Sequence, residues 1–170
     1  MDTREVLRDA FHRIPPLVRH HVDGADAHLL HTRLDGDANP LAWLLWHSAR
    51  QQDAQIADLA GHAQVWLADD WSDRFALPLD PEDHGYGHTS DQVASVRVDD
   101  PDLLVGYQDA VTAMTDDYLD DIDAEELDRV IDDRYDPPVT VGVRLVSILG
   151  DAFQHLGQAG YLRGLLERRG

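Results

Sequence analysis

Four stretches of this chain repeat apolar residues at every third or fourth position, and helical spacing on that scale leaves few folds open. The clearest follows Asp100-Pro101 and sets Leu103, Leu104, Tyr107, Val111, Met114 and Tyr118 along one side of a helix. Aspartate accepts hydrogen bonds from the first free backbone N–H groups, and proline fits the first turn, where its missing N–H costs nothing. Asn39-Pro40 gives the same start signal. It predicts a helix running to about Ala60, before Gly61, with Leu41, Leu44, Leu45, Ser48, Gln52, Ile56 and Leu59 as its stripe. A last long helix begins near Thr140, after Pro137-Pro138, and continues through Leu145, Ile148, Leu149, Ala152, Leu156, Ala159, Leu162 and Leu166. The first in chain order, about Thr3 to Val22, carries Val6, Leu7, Ala10, Phe11 and Ile14, but Pro15 and Pro16 predict a kink or break near Ile14. Strand signals are weak throughout. The expectation is an all-α fold, a four-helix bundle.

Between the second and third helices lies a segment from about Ala63 to Asp99, rich in Trp, Asp, Pro, Gly and His. So long a connection in a compact domain is usually functional or disordered, and its aromatic residues favour order, with Trp66 and Trp71 expected to pin it to the bundle. A short helix at Asp123 to Arg129 is signalled by the capping-box pair Asp123 and Glu126. At 170 residues and 43% hydrophobic content the chain reads as one domain, residues 1–170. It has no apolar run long enough for a membrane span, and its N-terminus, MDTREVLRDAF, is charged from the second residue, so the expected setting is the cytoplasm. A net charge of -19 would repel phosphate backbones and anionic lipid, which argues against nucleic acid or membrane as partner. Cysteine is absent, so any thiol chemistry would need a thiol from outside.

The ten histidines direct attention to metal or proton chemistry. Asp151 and His155 are four apart on the last helix, so their Cβ atoms lie roughly 6 Å apart and one ion could reach both. Such pairs on helices are commonly just hydrogen-bonded to each other. Here Ala152, Leu156 and Ala159 place the pair beside the apolar stripe, where a carboxylate needs compensation. His47 sits in the apolar string LAWLLWHSAR, where a lone histidine would ordinarily be a satisfied boundary residue. With the two helices side by side, His47, Asp151 and His155 would make a site with open coordination positions, suited to Zn, Mn, Fe or Ni and to catalysis more than to structure. The chain has no Glu-x-x-His, no His-Glu-x-x-His, no P-loop and no Gly-x-Ser-x-Gly. His20, His21, His28 and His31 are expected to be solvated. In the turn Asp83 to Thr89, glycines at 85 and 87 allow tight backbone turns that would hold Tyr86 and His88 toward a pocket as substrate contacts; a polar surface turn is the competing reading.

Several separated strings, LAWLLWHSARQQDAQIADLAG, WSDRF, GYGHTSDQVASVR and DPPVTVGVRLVSILGDAFQHLGQAGYLRGLL, together resemble the actinobacterial mycothiol S-transferase branch of the DinB/YfiT-like superfamily, over nearly the whole chain. The resemblance implies a DinB-like bundle with one divalent metal, zinc first and Mn, Ni or Fe as alternatives, held by one His of the second helix and two residues four apart on the last. Three histidines are common at those places in the superfamily; the matching residues here are His47, Asp151 and His155, and the aspartate changes the charge of the site. Also implied are a homodimer, as in many members, and transfer of mycothiol, as cosubstrate, to an electrophilic small molecule in detoxification. Other readings are a mycothiol-dependent isomerase resembling maleylpyruvate isomerase, whose branch usually carries a further C-terminal region, a metal-binding stress protein without turnover, and a nonheme iron oxygenase, against which the helical setting counts.

Overall fold

The computed structural model describes residues 2–169, and their elements follow the apolar periodicity closely. They are α1 Thr3–His12, α2 Ile14–Val22, α3 Ala27–His31, a 3-10 turn Leu34–Gly36, α4 Leu41–Ala60, α5 Val65–Ala68, α6 Trp71–Phe75, α7 Ser90–Ser95, α8 Pro101–Asp120, α9 Ala124–Asp128, β1 Val130–Asp132, β2 Val139–Thr140 and α10 Val141–Arg169. The expected break comes at Arg13, and Pro15 and Pro16 fall in the first turn of α2, where no N–H is missed. Together α1 and α2 fill one position of a four-helix bundle, with Phe11, Ile14 and Val18 buried. The other three positions are α4, α8 and α10: α10 packs along α4, α4 along α8, and α1 and α2 close the ring against α8 and α10. The fold is all-α apart from the short antiparallel pair β1–β2.

Helix ends follow the start and stop signals with two differences. Asp100 accepts from the Asp102 N–H, and Gly61 closes α4 in the left-handed conformation at φ 71°. Asn39, however, does not cap α4, because Pro40 itself occupies the cap position. Asp123 caps α9, but Glu126 does not complete the reciprocal box; its carboxylate is taken by the Tyr118 hydroxyl and by Arg129.

The excursion from α4 to α8 is ordered and contributes three short helices. Trp66, Trp71 and Phe75 are buried and gather around Tyr107 of α8 at ring-centroid distances of 5.1, 5.7 and 5.8 Å, so both tryptophans pin the segment as expected. Covering α4 from a second side has a further result: every α4 residue from Leu41 to Arg50 is buried. A buried polar knot ties the two together. The Asp53 carboxylate accepts from the backbone N–H groups of Val65 and Trp66 and from the Tyr107 hydroxyl, at 3.0, 2.9 and 2.7 Å. Arg50, fully buried, donates to Gln64, to the Asp83 carbonyl and to Tyr107, and lies 3.5 Å from Asp53. No helix among the described residues is long and apolar enough to cross a membrane.

Of the histidines expected to be solvated, His20 and His28 are exposed, while His31 is partly covered and meets Asp99 at 3.0 Å. His21 departs from the expectation. It is 5% exposed because Gly160 of α10 leaves space for its ring; a Cβ there would sit 3.0 Å from His21 Cε1.

Candidate metal centre

The long contact between α4 and α10 brings His47 beside Asp151 and His155, and one ligand atom from each lies within 4.8 Å of the others. His155 Nε2 is 3.5 Å from Asp151 Oδ1, and the two imidazoles meet edge to face at 4.9 Å between ring centroids. His47 is 5% exposed, whereas the Asp151 side chain retains 39% exposure, so the cluster is walled on one side and open on the other.

Each imidazole has its second nitrogen engaged. His47 Nδ1–H donates to the His84 carbonyl at 2.6 Å, and His155 Nδ1–H donates to Gln158 Oε1 at 3.1 Å. Both Nε2 atoms are thereby left as lone-pair donors, which is the arrangement that orients histidines for metal ligation. Burial pushes the His47 pKa down to about 4, against the opposing pull of the His84 carbonyl, so the ring is neutral at neutral pH. His155 is raised by its hydrogen bond to Asp151, with burial opposing. Burial raises the Asp151 carboxyl, but the hydrogen bond and charge of His155 together with the charge of His47 outweigh it and leave that group lowered. Asp151 Oδ2 is buried without a hydrogen-bond partner. An orphaned carboxylate oxygen beside two oriented imidazole nitrogens is the donor set a divalent cation satisfies, so the residues present fit such an ion.

The glycine turn packs directly against His47. Gly85 lies at φ 89°, a conformation other residues rarely adopt, and a Cβ on it would fall 2.6 Å from His47 Nδ1 and 3.0 Å from Trp46. Only glycine lets the backbone come close enough for the His84 carbonyl to reach the imidazole. Tyr86, expected to face the pocket, instead points to solvent at 83% exposure, since the turn that presses Gly85 inward throws its neighbour outward. His88 does turn inward, though toward tryptophan rather than the triad. Its Nδ1 accepts from Trp43 Nε1–H at 3.1 Å and its Nε2–H donates to Asp83 at 2.9 Å. Trp43 in turn stacks on His47 at 4.4 Å and 14°, and meets His155 edge-on at 6.0 Å. Trp43, Asp83, Gln158 and the His84 carbonyl are thus site components that sequence reasoning missed. For Trp43 a signal existed, because it stands four residues before His47 and so shares its face.

A separate concavity of about 1010 Å³ lies between the ends of α4, α8 and α9, lined by Leu59, Tyr118, Glu126 and Arg129 among others. Leu59 is about 18 Å along α4 from His47, so this groove has no part in the triad.

A family model, described as DinB superfamily, matches residues 10–159. The chain belongs to the DinB superfamily. A solved structure described as the conserved protein of a locus from Enterococcus faecalis superposes with a TM-score of 0.89 at 36% sequence identity, covering 96% of each chain. Curated proteins give no match. Membership in the DinB superfamily agrees with the bundle and with the α4–α10 triad of possible metal ligands.

Proposed function

We propose that this DinB-superfamily protein is a metal-dependent thiol S-transferase that joins mycothiol, or a similar low-molecular-weight thiol, to an electrophilic small molecule in the cytoplasm. The observation that carries the reading is the convergence of His47, Asp151 and His155 with Asp151 Oδ2 buried and unpartnered. The motif strings that resemble the mycothiol S-transferase branch support the choice of thiol. Zinc is the first expectation for the ion, and the donor set is also compatible with Mn, Ni or Fe. When bound, a divalent ion balanced by a single carboxylate would keep about one positive charge and lower the pKa of an arriving thiol, supplying a nucleophile that this cysteine-free chain lacks.

The remaining work falls to the chain's own groups. The His84 carbonyl and Gln158 fix the ring orientations of His47 and His155. Trp43, stacked on His47 and steadied by His88, closes the inner wall against water. Asp151 sets the charge of the site and, on its exposed side, leaves room for thiol and electrophile.

Metal analysis of the purified protein, followed by conjugation of mycothiol to a fluorogenic electrophile with and without chelator, tests the reading. His155→Ala is expected to be inactive, because two ligands hold an ion poorly in an open site. At saturating metal, Asp151→Asn is expected to keep measurable turnover with its pH profile displaced toward acid, since the ion would be more electropositive. Conjugation at wild-type rate by metal-free protein would overturn the proposal.

A further inference from the structure

Arg144 stands where electrostatics would place an acid. It is the fourth residue of α10, whose first turn carries no Asp or Glu, although acidic residues outnumber basic ones 33 to 14 in this chain. The positive end of a helix repels a cation there. No carboxylate in contact compensates it: among the described residues Arg144 makes one hydrogen bond, to the neutral Gln55 Oε1 of α4 at 3.3 Å. Asp132 of β1 feels the charge of Arg144, but both its oxygens are taken by Arg134, at 2.9 and 2.6 Å. Other arginines are treated differently, since Arg19, Arg50, Arg129 and Arg163 each meet a carboxylate directly.

The same arginine lies on the seam that holds the triad. Gln55 meets Arg144, while His47, eight residues earlier, meets Asp151 and His155 further along α10, so α4 and α10 run antiparallel with these groups on a shared edge. Arg144 and Asp151 are seven residues apart, two turns of helix, which puts them on one face about 10 Å from each other. Along the α4 side the groups between are polar and joined. Arg144 donates to Gln55, Gln55 Nε2 to Gln51 Oε1 at 3.2 Å, and Gln51 Nε2 to Nδ1 of His84 at 3.0 Å, the residue whose carbonyl holds His47. Arg144, Gln55, Gln51 and Asp151 are all partly exposed, so the seam is open to solvent. A guanidinium has five N–H donors, and Arg144 uses one of them on the protein.

We propose that Arg144 anchors a carboxylate of the organic substrate, about 10 Å along the α4–α10 seam from the reacting end at the triad. The inference rests on the transferase reading and names the substrate class of that site. A planar guanidinium matches a carboxylate with two parallel hydrogen bonds, and the unused donors of Arg144 supply them. A phosphate dianion fits less well, because one cation would have to hold it between Asp132 and Asp151. In a molecule at -19 the anchor also offsets the repulsion that an acid meets on approach. Either partner in the reaction could bring the carboxylate. Mycothiol carries none, so with that cosubstrate the acid belongs to the electrophile.

Calorimetric titration of the full chain with a dinitrobenzoate and with the matching dinitrobenzamide reads the anchor without turnover. It is made on the protein as purified and again after chelation, so that ligation of an ion by the acid is excluded. The acid is expected to bind more tightly than the amide in both states, and Arg144→Gln to cut that preference about 10- to 100-fold, as loss of a hydrogen bond to a charged group does. Arg144→Lys keeps the charge without the fork and should retain part of the preference. A variant that merely loosened the fold would weaken acid and amide alike. Two conjugation arms locate the carboxylate: mycothiol with a chlorodinitrobenzoate against its amide, and glutathione against its diethyl ester with neutral monochlorobimane. The pair whose kcat/KM ratio depends on Arg144 identifies the carrier. No preference for the acid in the wild-type chain, or a preference that survives Arg144→Gln, would overturn the proposal. An Arg144-dependent preference in a protein that conjugates nothing would support the anchor and overturn the transferase reading instead.

Discussion

Gly85 and Gln158 act on the triad by different routes, and each can be tested by one substitution. Alanine at 85 would set a methyl group 2.6 Å from His47 Nδ1 at a backbone φ of 89°, so the His84 carbonyl must withdraw or the ring must turn. Gly85→Ala is expected to weaken metal binding by about 10- to 100-fold, as loss of an orienting partner does, and to lower stability by about 1–3 kcal/mol. Competition against a chromophoric chelator and urea denaturation read the two effects. Gln158→Ala removes only the acceptor for His155 and should lower affinity without the loss of stability. Protons compete with metal for the same nitrogens. With its pKa at about 4, His47 carries no proton on Nε2 at neutral pH, while His155, raised by Asp151, retains its second proton to a higher pH than usual. Metal binding should therefore expel one proton below the His155 pKa and none above it. Apparent affinity is expected to climb about tenfold per pH unit up to that point and then level off. Calorimetry in buffers of different ionisation enthalpy measures the count, and two protons released at pH 7 would contradict a neutral His47. Of these residues the sequence made His47, Asp151 and His155 legible, two by their spacing and one by its apolar string. The His84 carbonyl was not legible, because a backbone acceptor has no residue type, and Gln158 was hidden in the polar face of α10.

At the scale of elements, the start signals placed the beginnings of α4, α8 and α10 to within a residue or so, and Gly61 marked the end of α4, since proline and glycine act locally. What they could not show was which faces of α4 are covered. A stripe of Leu41, Leu44, Leu45 and Ile56 describes one buried side, but the excursion over the other buries Trp46, His47, Arg50 and Asp53 as well. That coverage depends on contacts such as Trp66 with Tyr107, 41 residues apart, which periodicity along a single helix cannot encode. The Arg50–Asp53–Tyr107 knot holds the excursion down. Asp53→Asn would leave the fully buried Arg50 without its counter-charge and is expected to cost about 3–5 kcal/mol. Tyr107→Phe removes one donor to Asp53 and should cost about 1–2 kcal/mol. Urea unfolding would rank them, and equal losses would mean that the charge pair contributes nothing beyond the hydroxyl. Both variants should also loosen Asp83, and with it the turn that reaches His47.

For the whole molecule, an excess of 19 negative charges on 170 residues sets a repulsion that salt relieves. The melting temperature is expected to rise by a few degrees between low and physiological ionic strength, seen by calorimetry in the presence of chelator so that metal does not contribute. A fall would mean that the surface ion pairs, such as Arg19 with Asp109, outweigh the net repulsion. The triad also spans the chain. His47 and Asp151 are 104 residues apart in sequence, and they meet only because the last helix returns along α4. On a ribosome adding roughly 5–20 residues per second, His47 emerges many seconds before its partners exist. Throughout that time the nascent chain offers a cation scattered histidines and acidic groups, but not this site. Under the proposed reading, loading with metal would be deferred until synthesis of the final helix, and the ion would act as a late clasp between the first half of the molecule and its last element.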